Sequence, residues 1–196
     1  MPPDLATLVG SRICHDLISP IGAIGNGLEL LSLTDGDTGA EMALINDSVE
    51  NANARIRFYR IAYGAASSDQ TLSSQEVLSF ISVLARGGRF TYFWQVAEDR
   101  PRREVRCALL LLQCLEAAMP VGGDIHVRYV DDHWIISAES LRFKIDACLW
   151  DHLAVGNLPK SYSASQVQFA LVPGFLIEAG RGLKIKMSDD RIVVRF

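Results

Sequence analysis

Arg12, His15, Asp16 and Ser19 stand at helical spacing just ahead of Pro20. A neutral imidazole titrating near physiological pH can act as a nucleophile through one ring nitrogen while a hydrogen bond on the other fixes its tautomer. Asp16 is the acid within reach, although adjacent helical residues point about 100° apart, so its carboxylate must bend back toward His15. Arg12 lies one turn before the histidine and Ser19 one turn after it. A lone outward histidine on a helix would be ordinary solvated surface, so the elements around this one decide its meaning.

Apolar residues recur at steps of three and four through Cys14, Leu17, Ile21, Ile24, Leu28 and Leu31, the stripe of a coiled-coil-like helix. With Cys14, Ile21 and Leu28 as one core position and Leu17, Ile24 and Leu31 as the other, His15 falls just off the seam. Its surface neighbours are Ser11, Arg12, Ile18, Ser19 and Gly22, with Asn26 one turn further. That mostly small, polar face leaves room for a docking partner. Pro20 cannot donate to the carbonyl of Asp16, yet the stripe continues through it, so the helix is expected to continue too. Residues 34–37 read as a turn, and Thr38 with Glu41 fits a capping box. A second stripe follows, through Met42, Ile45, Val49, Ala52, Ile56 and Tyr59, with Gly64 as a stop. Two helices cannot cover both stripes, so the antiparallel hairpin is expected to pair with a second copy as a dimeric four-helix bundle.

The rest of the chain has a different composition, which divides it into a hairpin domain at 1–66, a linker at 67–74 and a second domain at 75–196. Helices are expected at 75–85, 102–119, 145–154 and 164–179, and strands at 89–96, 124–130, 133–140, 183–187 and 191–196. Asp131-Asp132 forms the turn of a hairpin. This is an α+β order, with helices on one face of a mostly antiparallel sheet. The net charge of −4 over 196 residues gives no electrostatic footprint for nucleic acid or an anionic membrane. Arg100, Arg102, Arg103 and Arg106 read as a solvated helix start. No leader or membrane-spanning run is legible, which points to the cytoplasm. Cys14, Cys107, Cys114 and Cys148 lack paired ligand spacing and read as small buried apolar residues, with no metal implied. His126, His133 and His152 read as structural, and Trp94, Trp134 and Trp150 as packing.

The run His15-Asp16-Leu17-Ile18-Ser19-Pro20, opening a long amphipathic helix, resembles the phosphoacceptor box of dimerisation and histidine-phosphotransfer domains. The second half resembles the Bergerat-type ATP-binding domain of histidine kinases in element order, without its nucleotide apparatus. Where that family carries a run like Leu-Asn-Leu-Leu-Ser-Asn-Ala, this chain has Leu112-Gln113-Cys114-Leu115-Glu116-Ala117-Ala118, so Ala117 replaces an asparagine that helps hold magnesium. An Asp-x-Gly-x-Gly box is missing after Ser140, and Lys160-Ser161-Tyr162-Ser163 stands where a glycine-rich lid would be. Gly180-Arg181-Gly182 leads into a strand and reads as a turn.

The combination resembles the ChpT family of bacterial histidine phosphotransferases, over nearly the whole chain. That resemblance implies a dimeric intermediate in a cell-cycle phosphorelay, which takes a phosphoryl group from the receiver domain of a hybrid kinase and passes it to response-regulator receivers. It implies His15 as phosphoacceptor and Asp16 as the orienting acid, with Arg12 and Ser19 in support. Receiver docking would fall by position on Ser19, Gly22, Ala23, Asn26, Ala43, Asn46, Asp47 and Glu50. No ATP or other cofactor is implied in this chain, and magnesium is expected on the partner receiver. Two other readings remain: an ATP-dependent histidine kinase with diverged boxes, and a non-catalytic dimer that scaffolds receivers.

Overall fold

The computed structural model describes residues 4–33, 38–67, 69–156 and 161–196. Helix α1, Leu5–Leu33, runs unbroken past Pro20, and α2, Gly39–Ala62, packs back against it. The turn expected at 34–37 lies outside the described residues. The two helices approach closely at Gly27, where a Cβ would lie 2.6 Å from Ile45 Cγ1. At the far end a Cβ on Gly64 would meet the Arg60 carbonyl oxygen at 2.2 Å, so only glycine lets the chain leave α2 there. Thr38 makes no side-chain cap bond, contrary to the capping box expected of it. Its ψ of 16° departs from the extended backbone that aims a capping oxygen at the helix.

The seam assignment appears directly in the burial pattern. Leu17, Ile24 and Leu31 on α1, like Ile45 and Ala52 on α2, are half-buried, and Tyr59 is buried. Cys14, Ile21 and Leu28, with Met42, Val49 and Ile56, remain exposed in the single chain. One core position of each helix is therefore satisfied within the hairpin, and the other forms an uncovered apolar stripe.

Beyond the hairpin come β1 (Thr71–Leu72), α3 (Ser74–Ala85), β2 (Phe90–Gln95), β3 (Arg100–Pro101) and α4 (Arg102–Ala118). These are followed by β4 (Gly123–Val130), β5 (His133–Glu139), α5 (Ala147–Val155), α6 (Val167–Glu178), β6 (Lys184–Met187) and β7 (Arg191–Arg195). A 3-10 turn at Ala164–Gln166 precedes α6. The five-stranded sheet has the order β2-β4-β5-β7-β6 and is antiparallel except for the β2/β4 pair. Asp131 and Asp132 both take positive φ, 50° and 59°, the backbone a tight two-residue hairpin requires. The expected linker at 67–74 is not a loose tether. Leu72 is buried, and β1 pairs antiparallel with β3.

Helix α4 is the axis of the core. Leu109 to Leu112 are all essentially inaccessible, so neighbours cover the middle of this helix on every side. It packs on α6, on β5 and, across the domain boundary, on α2. Phe58 of α2 meets Phe80 of α3 edge-on at 6.1 Å, so one continuous core spans hairpin and sheet domain.

Two sequence expectations fail here. The arginines at the start of α4 are not a solvated cluster. Arg106 is 3% exposed, pairs with Glu178 at 2.7 Å and lies over the Phe175 ring at 3.7 Å. Arg100 lies over Tyr129, and Arg102 donates to the Arg60 carbonyl at 2.8 Å. A planar, weakly hydrated guanidinium can be buried on aromatic faces in this way. Of the cysteines, Cys107 and Cys114 are buried, and burial pushes both thiols up, Cys107 to about 12. Cys14 and Cys148 are exposed, Cys14 because the outer stripe of α1 has no cover in the single chain.

Candidate functional site

His15 projects from α1 with 83% of its side chain exposed, and its Nδ1 lies 2.9 Å from Asp16 Oδ1. Asp16 does bend back, and its side chain is only 14% exposed. Its second oxygen, Oδ2, accepts from Arg12 Nε at 2.7 Å and from the Tyr59 hydroxyl. Arg12 reaches on across the domain boundary, Nη1 donating to the Ser165 carbonyl at 3.2 Å. Tyr59 is wedged between Phe58 and Tyr63, whose ring centroids lie 5.7 and 5.6 Å away.

The electrostatics follow from this packing. Burial alone would raise the Asp16 carboxyl, but the hydrogen bonds from Tyr59 and His15 and the charge of Arg12 outweigh it, and the group stays ionised below the ordinary aspartate range. Burial, then the hydrogen bond to that anion, pushes the Tyr59 phenol up, so it remains a donor. An ionised carboxylate can only accept. The proton shared with His15 therefore sits on Nδ1, which leaves the Nε2 lone pair free and facing solvent.

Behind Asp16 a cavity of about 290 Å³ separates the hairpin from the sheet domain, lined by Arg12, Arg55, Tyr59, Gln113 and Glu116 among others. Tyr63 donates to Gln113 Oε1 and Tyr92 to Glu116 Oε1, both at 2.8 Å. Burial pushes the Glu116 carboxyl up to about 7, with Tyr92, Arg12 and Arg55 only partly offsetting it. Among the described residues no three His, Cys, Asp or Glu side chains cluster as a metal site, and no helix is long and apolar enough to cross a membrane.

With this geometry in place, comparison with known proteins becomes informative. The family described as histidine phosphotransferase C-terminal domain matches residues 74–191. The protein phosphotransferase ChpT of Brucella abortus (strain 2308) is 37% identical, the match covering 97% of this chain and 93% of that one. The chain belongs to this histidine phosphotransferase family. A solved bacterial phosphotransferase superposes with a TM-score of 0.79 at 32% identity, over 98% of this chain and 95% of the other. The family's fold therefore holds across both halves, including the helical hairpin that the C-terminal match does not reach.

The residues expected to dock a partner fall into two groups. Ser19, Ala23 and Asp47 line one groove of about 480 Å³ together with Asn51, Arg55 and the loop from Arg86 to Gly88. Gly22, Asn26, Ala43 and Asn46 are exposed but outside that groove. Glu50 is engaged by Arg86 at 2.7 Å across to the end of α3. His126 stacks on Phe93, His133 Nδ1 donates to the Asp131 carbonyl, and His152 is buried beside Tyr162.

Sequence reasoning missed Tyr59, Gln113 and Glu116 as neighbours of the site, and the Arg86 to Gly88 wall of the groove. Tyr59 carried a faint signal, since it alone ends an otherwise non-aromatic stripe with a hydroxyl that a core must satisfy. It also missed Arg181, which ties buried Glu104 at 2.8 Å to the Asp131-Asp132 turn. Glu104 also accepts from Trp134 Nε1 at 2.9 Å.

Proposed function

We propose that this protein is a phosphorelay histidine phosphotransferase in which His15 Nε2 carries the phosphoryl group between receiver-domain aspartates. The observation that carries the reading is an exposed imidazole whose Nδ1 is held by a carboxylate that is itself half-buried and multiply bonded. In the first half-reaction the Nε2 lone pair attacks the phosphorus of a donor's aspartyl phosphate. The N–P bond forms, the P–O bond breaks, and the donor carboxylate leaves with the electron pair. The Nδ1 proton stays where it is, and Asp16 steadies the positive charge the ring acquires. The second half-reaction is the reverse, onto an acceptor aspartate. Arg12 is spent on Asp16 and Ser165, so charge on the transferring oxygens falls to the receiver and its magnesium. Ser19, on the groove wall, is a docking residue in this reading.

The uncovered stripe of Cys14, Ile21, Leu28, Met42, Val49 and Ile56 supports a homodimeric four-helix bundle, because it extends along both helices at core spacing. The groove between the hairpin and the Arg86 to Gly88 loop, within the face that carries His15, is the receiver-docking site in this reading. Magnesium-ATP does not fit the second domain. Ala117 offers no ligand oxygen, Gln113 Oε1 is taken by Tyr63, and Glu116 adds a carboxyl where phosphates would need cations. Phosphoryl groups therefore enter and leave through partner proteins, without autokinase activity.

The test is a reconstituted relay with a phosphorylated donor receiver and an unphosphorylated acceptor receiver. Wild type should transfer without ATP, and His15→Gln should lose transfer while keeping its fold by circular dichroism. Transfer through His15→Gln would point to a scaffold, and labelling of the protein alone by ATP would point to a kinase.

A further inference from the structure

We infer that Tyr59 is a positioning residue for phosphoryl transfer, acting through Asp16 to hold the His15 ring in its reactive tautomer. The inference rests on His15 being the phosphoacceptor. Asp16 can serve His15 only if its carboxylate stays folded back along the helix, because the side chains of adjacent helical residues naturally diverge. One oxygen bonds His15 Nδ1, and the other is held from two directions, by Arg12 within α1 and by Tyr59 on α2. Arg12 is a flexible side chain that divides its donors between Asp16 and Ser165. Tyr59 is the rigid partner: its ring is buried and fixed edge-on by Phe58 and stacked on Tyr63. Its hydroxyl donates to the carboxylate and not to the imidazole. The two helices of the hairpin thus share the task, α1 carrying the nucleophile and α2 fixing the angle of its orienting acid.

The test uses the full-length protein with nitrogen-15 in its histidines. Tyr59→Phe removes only the hydroxyl, and the ring keeps its packing. Tyr63→Phe, which removes the neighbouring hydroxyl that serves Gln113, is the control, and Asp16→Asn gives the signal of a lost carboxylate. Two quantities are read: the protonated nitrogen of neutral His15, and the rate of its phosphorylation by phosphoramidate, a small donor that needs no partner protein. In that reaction Nε2 attacks phosphorus and ammonia leaves. Wild type and Tyr63→Phe should hold the proton on Nδ1. Tyr59→Phe should shift it toward Nε2, as Asp16→Asn does, and slow phosphorylation about tenfold, the scale of one charge-assisted hydrogen bond. A slower rate with the tautomer unchanged would overturn the inference, as would no change in either quantity or an equal effect from Tyr63→Phe. If His15 in wild type kept its Nδ1 proton but took no phosphoryl group from phosphoramidate or from a receiver, the phosphoacceptor reading would fail while the brace stood.

Discussion

Glu116→Gln isolates the electrostatic tension in the cavity behind Asp16. In the folded chain burial raises this carboxyl from 4.5 to about 7. Below pH 4.5 both folded and unfolded states hold the proton. Between 4.5 and 7 the unfolded chain releases it and the folded chain retains it, so stability falls as pH rises, and above 7 the loss is complete. A shift of that size corresponds to about 3 kcal/mol. The side chain is only half-buried, and solvent relaxation trims this to about 1–2 kcal/mol. Glutamine keeps an oxygen for the Tyr92 hydroxyl but never ionises. Thermal melts of wild type and variant at matched protomer concentration, from pH 4.5 to 8.5, therefore give a difference that grows with pH. The two should lie closest at pH 4.5, and at pH 8 the variant should melt about 2–8 °C higher. Every other titrating group is common to both proteins and cancels. Parallel curves across this range would refute the reasoning, as would a variant whose advantage shrinks with rising pH.

Two further substitutions probe other parts of the fold. Under the proposed pairing of two hairpins, Ile21→Lys places a charge in the interface and should raise the dissociation constant at least about a hundredfold. Light scattering should then find monomers with unchanged helix content, whereas an intact dimer would show that the stripe is not the interface. Arg181→Met leaves the Glu104 carboxylate buried with only Trp134 to bond it, at a cost of about 3 kcal/mol in denaturant unfolding. A loss under about 1 kcal/mol would mean that Glu104 takes up a proton or reaches water instead.

Periodicity made the hairpin legible, because the stripes of both helices follow from steps of three and four that only one backbone geometry satisfies. The strands on either side of Asp131-Asp132 were legible for the same local reason. The segments of chain that hold the site together were not. Tyr59 lies 43 positions from Asp16, and Ser165 lies 153 positions from Arg12. No local pattern encodes such pairings, since they follow from how whole elements dock. The arginines of α4 misled for a related reason. Four cations near a helix start look solvated, yet Phe175 covers Arg106 and Tyr129 covers Arg100 from far along the chain. Cys14 illustrates the opposite limit: its core spacing is real, but what would cover it is not part of the single chain.

The continuous core ties the sheet domain to the hairpin, whatever the second domain binds. Phe58, Ile61 and Ala62 of the hairpin are sealed against the α3 and α4 wall. Cutting the chain after the hairpin would lay those side chains open to water and remove the carbonyl that Arg12 leans on. The sheet domain is thus a buttress for the hairpin that presents His15.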